Sequence, residues 1–362
     1  MSRYLKHFIF SFLLLNCISS FGQLIVKPND NKITYMGRVG VNNDSVSFYW
    51  PGTSATINFI GTKVSVTMKS NNEVGYFYAI VDNDVSKAFK FSTDNIKKNI
   101  VVASDLPYKK HTLLLYKLSN NTSENILYNF EIEGTPKLLP PNKLPKRKIE
   151  FYGDSITAGH GVDLADGAND SGQPQDFNNY FTYDALTARH FNAQYSIIAR
   201  SGIGIMVSWF PEIMPEVYDR INPEDPNSKW DFSSYEPDIV VINLFQNDSW
   251  IVNLPQNQQF IARFGTVKPT EEFIISAYKN FVQSIRKVHP KSHIICALGN
   301  MDATAKDSKW PGYIEQAVKR MNDTKIHTVF FPYKNRGNHP NKEEQQMMAN
   351  DLIGFIEKNI KW

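Results

Sequence analysis

A proline-rich, basic stretch divides the chain into two parts of different texture, and that division limits the folds open to it. Residues 135–148 read TPKLLPPNKLPKRK, with four prolines and five basic side chains. Proline removes a backbone donor and is excluded from helix interiors and central strands, so 135–147 is expected to be a stiff, extended connector. Before it, residues 24–134 consist of short runs rich in Val, Ile, Phe, Tyr and Thr, such as Lys63-Val64-Ser65-Val66-Thr67-Met68, broken by Asn, Asp and Gly. Alternation with period two marks half-buried strands, and about eight of them without a convincing helix predict a β-sandwich or jelly roll. After the connector, apolar strands alternate with helical stretches, the pattern of a parallel sheet with crossover helices. The strands are expected at 148–152, 194–199, 237–244, 292–298 and 325–332, and the helices at 180–191, 270–289, 313–322 and 342–359. The expected fold is therefore an α/β domain over 148–362 preceded by an all-β domain over 24–134.

Residues 1–22 place Arg3, Lys6 and His7 before an apolar run at 8–15 and a short segment ending Phe21-Gly22. This is the plan of a secretory signal peptide, so export to the periplasm or beyond is expected. The run is shorter than the roughly 20 apolar residues a membrane-spanning helix needs, and no later segment qualifies. Asn16 is a poor fit before Cys17 for lipid attachment. Cys17 and Cys296 are the only cysteines, so no disulfide framework is expected, and Cys296, inside an apolar run, reads as a buried small hydrophobe. No Cys or His grouping has zinc-site spacing, and neither a metal nor an organic cofactor is expected. With 39 basic and 36 acidic side chains scattered along the chain, the basic stripe of a nucleic-acid binder is missing. Nothing in the sequence sets an oligomeric state.

In open α/β sheets ligands sit beyond the carboxyl ends of the strands, so the residues there carry the chemistry. After the first predicted strand comes Gly153-Asp154-Ser155, where a glycine-permitted turn leads into a helix start. Unpaired N–H groups and the helix dipole favour negative charge at such a point, which suits a nucleophile, although Asp and Ser are also favoured N-caps. After the second comes Arg200-Ser201-Gly202-Ile203-Gly204, either an ordinary turn or one whose N–H approaches a substrate oxygen. After the third comes Asn247-Asp248, an amide able to donate to an oxyanion and a carboxylate able to brace its loop. After the fifth comes Asn338-His339-Pro340, and a lone loop histidine is otherwise just a solvated polar residue. A hydroxyl, an imidazole, a glycine N–H and an asparagine amide, each after a different strand, meet the requirements of acyl transfer.

The Gly153-Asp154-Ser155-Ile156, Gly202, Asn247-Asp248 and His339-Pro340 segments resemble the motifs of the SGNH hydrolases, also called the GDSL family. A preceding β-sandwich and a secretion signal make the chain most similar to carbohydrate esterase family 2, whose members remove acetyl groups from polysaccharides such as xylan. The resemblance implies a flavodoxin-like parallel sheet, Ser155 as nucleophile and His339 as base. It further implies an oxyanion hole from the Ser155 and Gly202 N–H groups and the Asn247 amide, with Asp154 and Asp248 in support. Two departures stand out. Phe245 replaces the family's glycine before the asparagine and is expected to wall the acyl pocket, and Arg336 stands where an aspartate usually orients the histidine. The resemblance then implies a Ser–His dyad, the imidazole held by a main-chain carbonyl. Of the tryptophans near strand ends, Trp250 is the best candidate to stack on a sugar, with core packing as the plain alternative; the segment 160–179 looks like a surface insertion at the edge of the site. The expected substrate is an acetylated polysaccharide or oligosaccharide. A lipase- or thioesterase-like enzyme and an inactive carbohydrate-binding protein are the alternatives.

Overall fold

The computed structural model describes residues 22–71, 73–119, 124–165 and 167–362. The expected leader and Cys17 lie outside these residues, apart from Gly22. Twelve strands precede residue 140 among the described residues, more than the sequence suggested because several are only three or four residues long. They are β1 (Gln23–Val26), β2 (Thr34–Met36), β3 (Val39–Asn42), β4 (Ser45–Phe48), β5 (Ser54–Ile60) and β6 (Lys63–Ser70). These are followed by β7 (Gly75–Val81), β8 (Phe89–Thr93), β9 (Lys98–Ala103), β10 (Lys110–Lys117), β11 (Asn125–Glu133) and β12 (Lys137–Leu139). The last lies in the expected connector and pairs with β5, so that segment begins as an edge strand, where proline at its flanks is tolerated.

The strands form two antiparallel six-stranded sheets, β3-β4-β11-β6-β9 with β1 on β11, and β12-β5-β10-β7-β8 with β2 on β5. Side chains such as Phe48, Val66 and Phe130 from the first meet Ile57, Phe77 and Leu115 from the second in one core. In β10 the run Leu113-Leu114-Leu115-Tyr116 is apolar on both faces because both are covered: Leu113 and Leu115 face the sandwich core, while Leu114 and Tyr116 pack on the α/β part.

The remaining strands are β13 (Lys148–Gly153), β14 (Gln194–Ala199), β15 (Ile239–Asn243), β16 (His293–Leu298) and β17 (Ile326–Phe330). They pair in parallel in the order β14-β13-β15-β16-β17, the flavodoxin-like order whose switch point lies beside the first strand. The helices are α1 (Ser155–Ala158), α2 (Tyr183–His190), α3 (Met214–Val217), α4 (Gln246–Ile251), α5 (Gln258–Phe264), α6 (Glu271–Val288), α7 (Trp310–Met321) and α8 (Lys342–Asn359). The predicted helix at 180–191 is split, because Asn179–Phe181 forms a separate 3-10 turn.

Glu150, in the middle of β13, breaks the apolar pattern of its strand. Its carboxylate meets Arg38 Nη2 at 3.0 Å and His289 Nε2 at 2.8 Å, with the Tyr152 hydroxyl donating at 2.7 Å. Arg38 lies between β2 and β3 and donates also to the carbonyls of Tyr218 and Arg220. Both charged side chains are fully buried, so this ion pair ties the N-terminal sheets to an inner strand of the parallel sheet. Burial opposes the charge on Glu150, but Arg38 and His289 win and hold its carboxyl well below the usual carboxylate range.

Candidate active site

The sheet order sets β13 between β14 and β15, with Gly153 paired to both Ala199 and Asn243. The loops after these three strands therefore lie side by side. Gly153 does not supply the turn that the sequence suggested: it ends β13, and its missing side chain makes room for Thr157, whose Oγ1 would stand 2.0 Å from any Cβ. The turn is made by Asp154, which accepts from the Ile156 N–H at 3.0 Å as N-cap. Burial, with the nearby Asp248 charge, pushes its carboxyl up to about 7. The helix it opens is a single turn of four residues, so its dipole contributes little to Ser155.

His339 reaches Ser155 from the far edge of the sheet. After β17 the chain crosses back along the strand ends and enters α8 through a capping box, in which Asn341 and Glu344 each accept the other's backbone N–H. Gln345 in the first turn of α8 donates to the Ile156 carbonyl and accepts from the Tyr183 N–H, both at 2.9 Å, which docks the helix against the Ser155 turn. The result is a 2.8 Å contact between His339 Nε2 and Ser155 Oγ.

A main-chain carbonyl does not meet the other side of the imidazole, so the expectation of a dyad is corrected. Asp170 Oδ2 lies 2.5 Å from His339 Nδ1 and accepts from the His339 main-chain N–H at 3.0 Å. Its other oxygen lies 2.6 Å from His160 Nε2. Burial would raise the Asp170 carboxyl, but the hydrogen bonds and charge of His160 and His339 hold it far below its ordinary value. Burial, reinforced by His160 and Lys334 against the opposing pull of Asp170, lowers the pKa of His339 and favours the neutral base. Asp170 lies in the 160–179 insertion, beside three other aspartates, Asp163, Asp166 and Asp176; nothing in their spacing singles it out. Arg336, at the position where an aspartate was looked for, instead pairs with Glu344 and donates to the His339 carbonyl, holding the loop rather than the imidazole.

The N-terminal sheets grip the insertion at both ends. Lys90 of β8 donates to Asp163 at 2.7 Å and to the Gln175 carbonyl at 2.8 Å. Asn178 donates to the Tyr78 hydroxyl at 2.9 Å, and the Tyr116 hydroxyl donates to Asn179 at 2.7 Å.

In the loop after β14, Gly202 has φ of 85°, a conformation that glycine adopts without cost. Asp248 accepts from the N–H groups of Ile205, Met206 and Val207 at 2.7–3.1 Å, so it does brace the loop after β14; burial pushes its carboxyl up to about 6. The Asn247 amide has a fixed orientation, its oxygen accepting from Trp209 Nε1 at 3.0 Å and its nitrogen donating to the Ile203 carbonyl at 2.9 Å. A primary amide nitrogen carries a second hydrogen.

Phe245 does not wall the pocket. Its backbone keeps the left-handed conformation that a glycine would supply, with φ of 102°, but the side chain is fully buried against Tyr278 and Trp310, with ring centroids at 4.8 and 5.0 Å. Trp250 is half-buried and donates its indole N–H to Asp302 at 2.8 Å. Trp209, beside Asn247, is 45% exposed. His339 and Asp170 open onto a cleft of about 470 Å³ lined also by His160, Met301 and Asn338. His160, Asp170 and His339 are the one set of side chains among the described residues whose ligand atoms crowd within 4.8 Å as a metal site requires. Their facing atoms are hydrogen-bonded to one another, so a cation there would have to displace those protons.

Residues 35–141 match the family model "Carbohydrate esterase 2 N-terminal" and residues 151–330 match "GDSL-like Lipase/Acylhydrolase family". The Cellulase/esterase CelE of Acetivibrio thermocellus is 32% identical over 342 residues, covering 91% of this chain and 40% of that protein, so the chain spans less than half of that relative's length. An acetylxylan esterase / glucomannan deacetylase of Cellvibrio japonicus is 24% identical, over 93% of this chain and 91% of that protein. Among solved structures, a family two carbohydrate esterase from Clostridium thermocellum in complex with cellohexaose matches with a TM-score of 0.79 and 32% identity, covering 90% of this chain and 98% of that one. With that identity across nearly the whole of a solved member, the chain belongs to the family 2 carbohydrate esterases.

Proposed function

We propose that this protein is an exported serine esterase that removes acetyl groups from polysaccharides or oligosaccharides through an acyl-enzyme. The observation that carries the reading is the chain of contacts from Ser155 Oγ through His339 to the Asp170 carboxylate, 2.8 Å and 2.5 Å long. Ser155 attacks the ester carbonyl as His339 Nε2 takes its proton. Asp170 keeps the proton of the neutral ring on Nδ1 and offsets the positive charge that forms, the part an orienting carboxylate plays in such sites. The Ser155 and Gly202 N–H groups and the second hydrogen of the Asn247 amide receive the oxyanion. As the tetrahedral intermediate breaks its bond to the sugar, His339 gives its proton to the leaving sugar oxygen, which departs as a hydroxyl, and water activated by the same ring then attacks the acyl-enzyme to release acetate.

The open cleft at His339 and the exposed Trp209 on the Asn247 amide suit a sugar chain better than a buried acyl tunnel would. The intact Ser155–His339 contact speaks against an inactive binding protein. Acetate release from a panel of acetylated xylan, mannan and pectin, with wild type and Ser155→Ala side by side, tests the proposal. Release by wild type alone is expected; equal release by the two proteins overturns it.

A further inference from the structure

The chain of contacts does not stop at Asp170. His160, in the turn that follows α1, presents Nε2 to Asp170 Oδ1 at 2.6 Å, while its Nδ1 bonds to Ser201 Oγ at 3.0 Å. Because an ionised carboxylate only accepts, the ring nitrogen facing it donates. The ring lies parallel to that of His339, with centroids 3.8 Å apart and planes at 7°, and Phe177 backs it on a centroid distance of 4.6 Å. A continuous hydrogen-bonded path thus runs from Ser201, the residue before Gly202, through His160, Asp170 and His339 to Ser155.

We propose that His160 is a positioning residue of the reaction, which fixes the Asp170 carboxylate against His339 and so acts on acyl transfer through Asp170 without touching substrate. The proposal rests on the esterase reading above. Asp170 sits in a stretch of loop without helix or strand, and the terminal torsion of an aspartate is soft. Both hydrogen bonds from His339 fall on one oxygen, Oδ2, so by themselves they leave the carboxylate free to swing about it. The bond from His160 to Oδ1 supplies the second point that fixes the plane. The stacked ring also limits rotation of the His339 imidazole away from Ser155.

The test is a double-mutant cycle on hydrolysis of 4-nitrophenyl acetate. His160→Phe keeps a ring between Phe177 and His339 but removes both nitrogens. It is expected to lower kcat about tenfold, the order of one charge-assisted hydrogen bond, with KM within about twofold. In an Asp170→Ala background the same change is expected to cost nothing further, since the group it acts through is gone. Losses that multiply in the double variant, or a change confined to KM, overturn the proposal. If His160→Phe does not fold, Ser201→Ala applies the cycle from the outer end: a loss in wild type that vanishes in Asp170→Ala supports the path, and equal losses in both overturn it. Equal turnover by wild type and Ser155→Ala is the separate result that sinks the esterase reading itself.

Discussion

Replacing Asp170 by asparagine tests the site at its least expected residue, and the geometry sets the size of the effect. An asparagine facing an imidazole can point its amide nitrogen at Nδ1 and force the proton onto Nε2, the wrong tautomer for a base; in a well-studied serine protease this costs about 10⁴ in kcat. Here Oδ2 also accepts the His339 main-chain N–H at 3.0 Å. An amide nitrogen placed there would face two donors, whereas on the other side His160 Nε2 can accept once that ring carries its proton on Nδ1, where it donates to Ser201 Oγ. The asparagine should therefore turn its oxygen to His339 and keep the working tautomer. What is lost is charge. A charge-assisted hydrogen bond contributes about 1.5–3 kcal/mol and a neutral one about 0.5–1.5 kcal/mol, and weaker support of the imidazolium adds to the difference. The expected loss in kcat is about 10- to 100-fold, at about 1.4 kcal/mol per decade. Asp170→Ala, which leaves both His339 donors unpaired and the ring free to turn, should lose more. Steady-state kinetics on an aryl acetate, with circular dichroism to check the fold, decide the matter. A 10⁴-fold loss for the asparagine variant, or an alanine variant that outperforms it, refutes the orientation argument.

Asn247→Ala removes one oxyanion donor and should lower kcat about 100- to 1000-fold, equivalent to about 2.7–4 kcal/mol, with a KM near wild type; an unchanged kcat places the oxyanion elsewhere. The lowered pKa of His339 has a signed consequence: the base works when neutral, so the acid limb of kcat/KM should lie below the ordinary histidine value of 6.5, and a limb above 6.5 contradicts it. Arg38→Met leaves the buried Glu150 carboxylate with His289 and Tyr152 but without its guanidinium partner and should destabilise the fold by about 3–5 kcal/mol, measured by urea unfolding. The same pair gives a pH signature. The folded pKa of Glu150 lies below its unfolded value of 4.5, so its contribution to stability is complete above pH 4.5 and is lost as pH falls below that; a wild type no more acid-sensitive than Arg38→Met sinks this account.

The strands and helices of the α/β part were legible because buried parallel strands read as unbroken apolar runs and their crossover helices keep a 3.6 period. Gln194–Ala199 and Lys342–Asn359 fall where the pattern put them. Ser155 and His339 were legible for a related reason: each follows a strand end, and strand ends converge in this topology. Asp170 was not, because an irregular loop has no period and one aspartate among four looks like any other. Phe245 misled in a different way. The residue type suggested a pocket wall, but side-chain direction depends on a backbone twist that composition does not reveal. Glu150 passed unnoticed within an apolar strand, since its partners Arg38 and His289 lie more than a hundred residues away on either side.

The grip of Lys90, Tyr78 and Tyr116 on the ends of the insertion makes the sandwich a partner in rate rather than a separate module. In the proposed mechanism the nucleophile Ser155 follows β13 and the base His339 lies just before α8, but the Asp170 carboxylate is carried by a loop whose ends are fastened to the sandwich. Local opening of those strands, which need not involve the α/β core, would leave a serine that still meets its histidine and a histidine without its carboxylate. On gentle heating the enzyme should therefore slow before it unfolds, its turnover serving as a gauge of the sandwich while the helices remain intact.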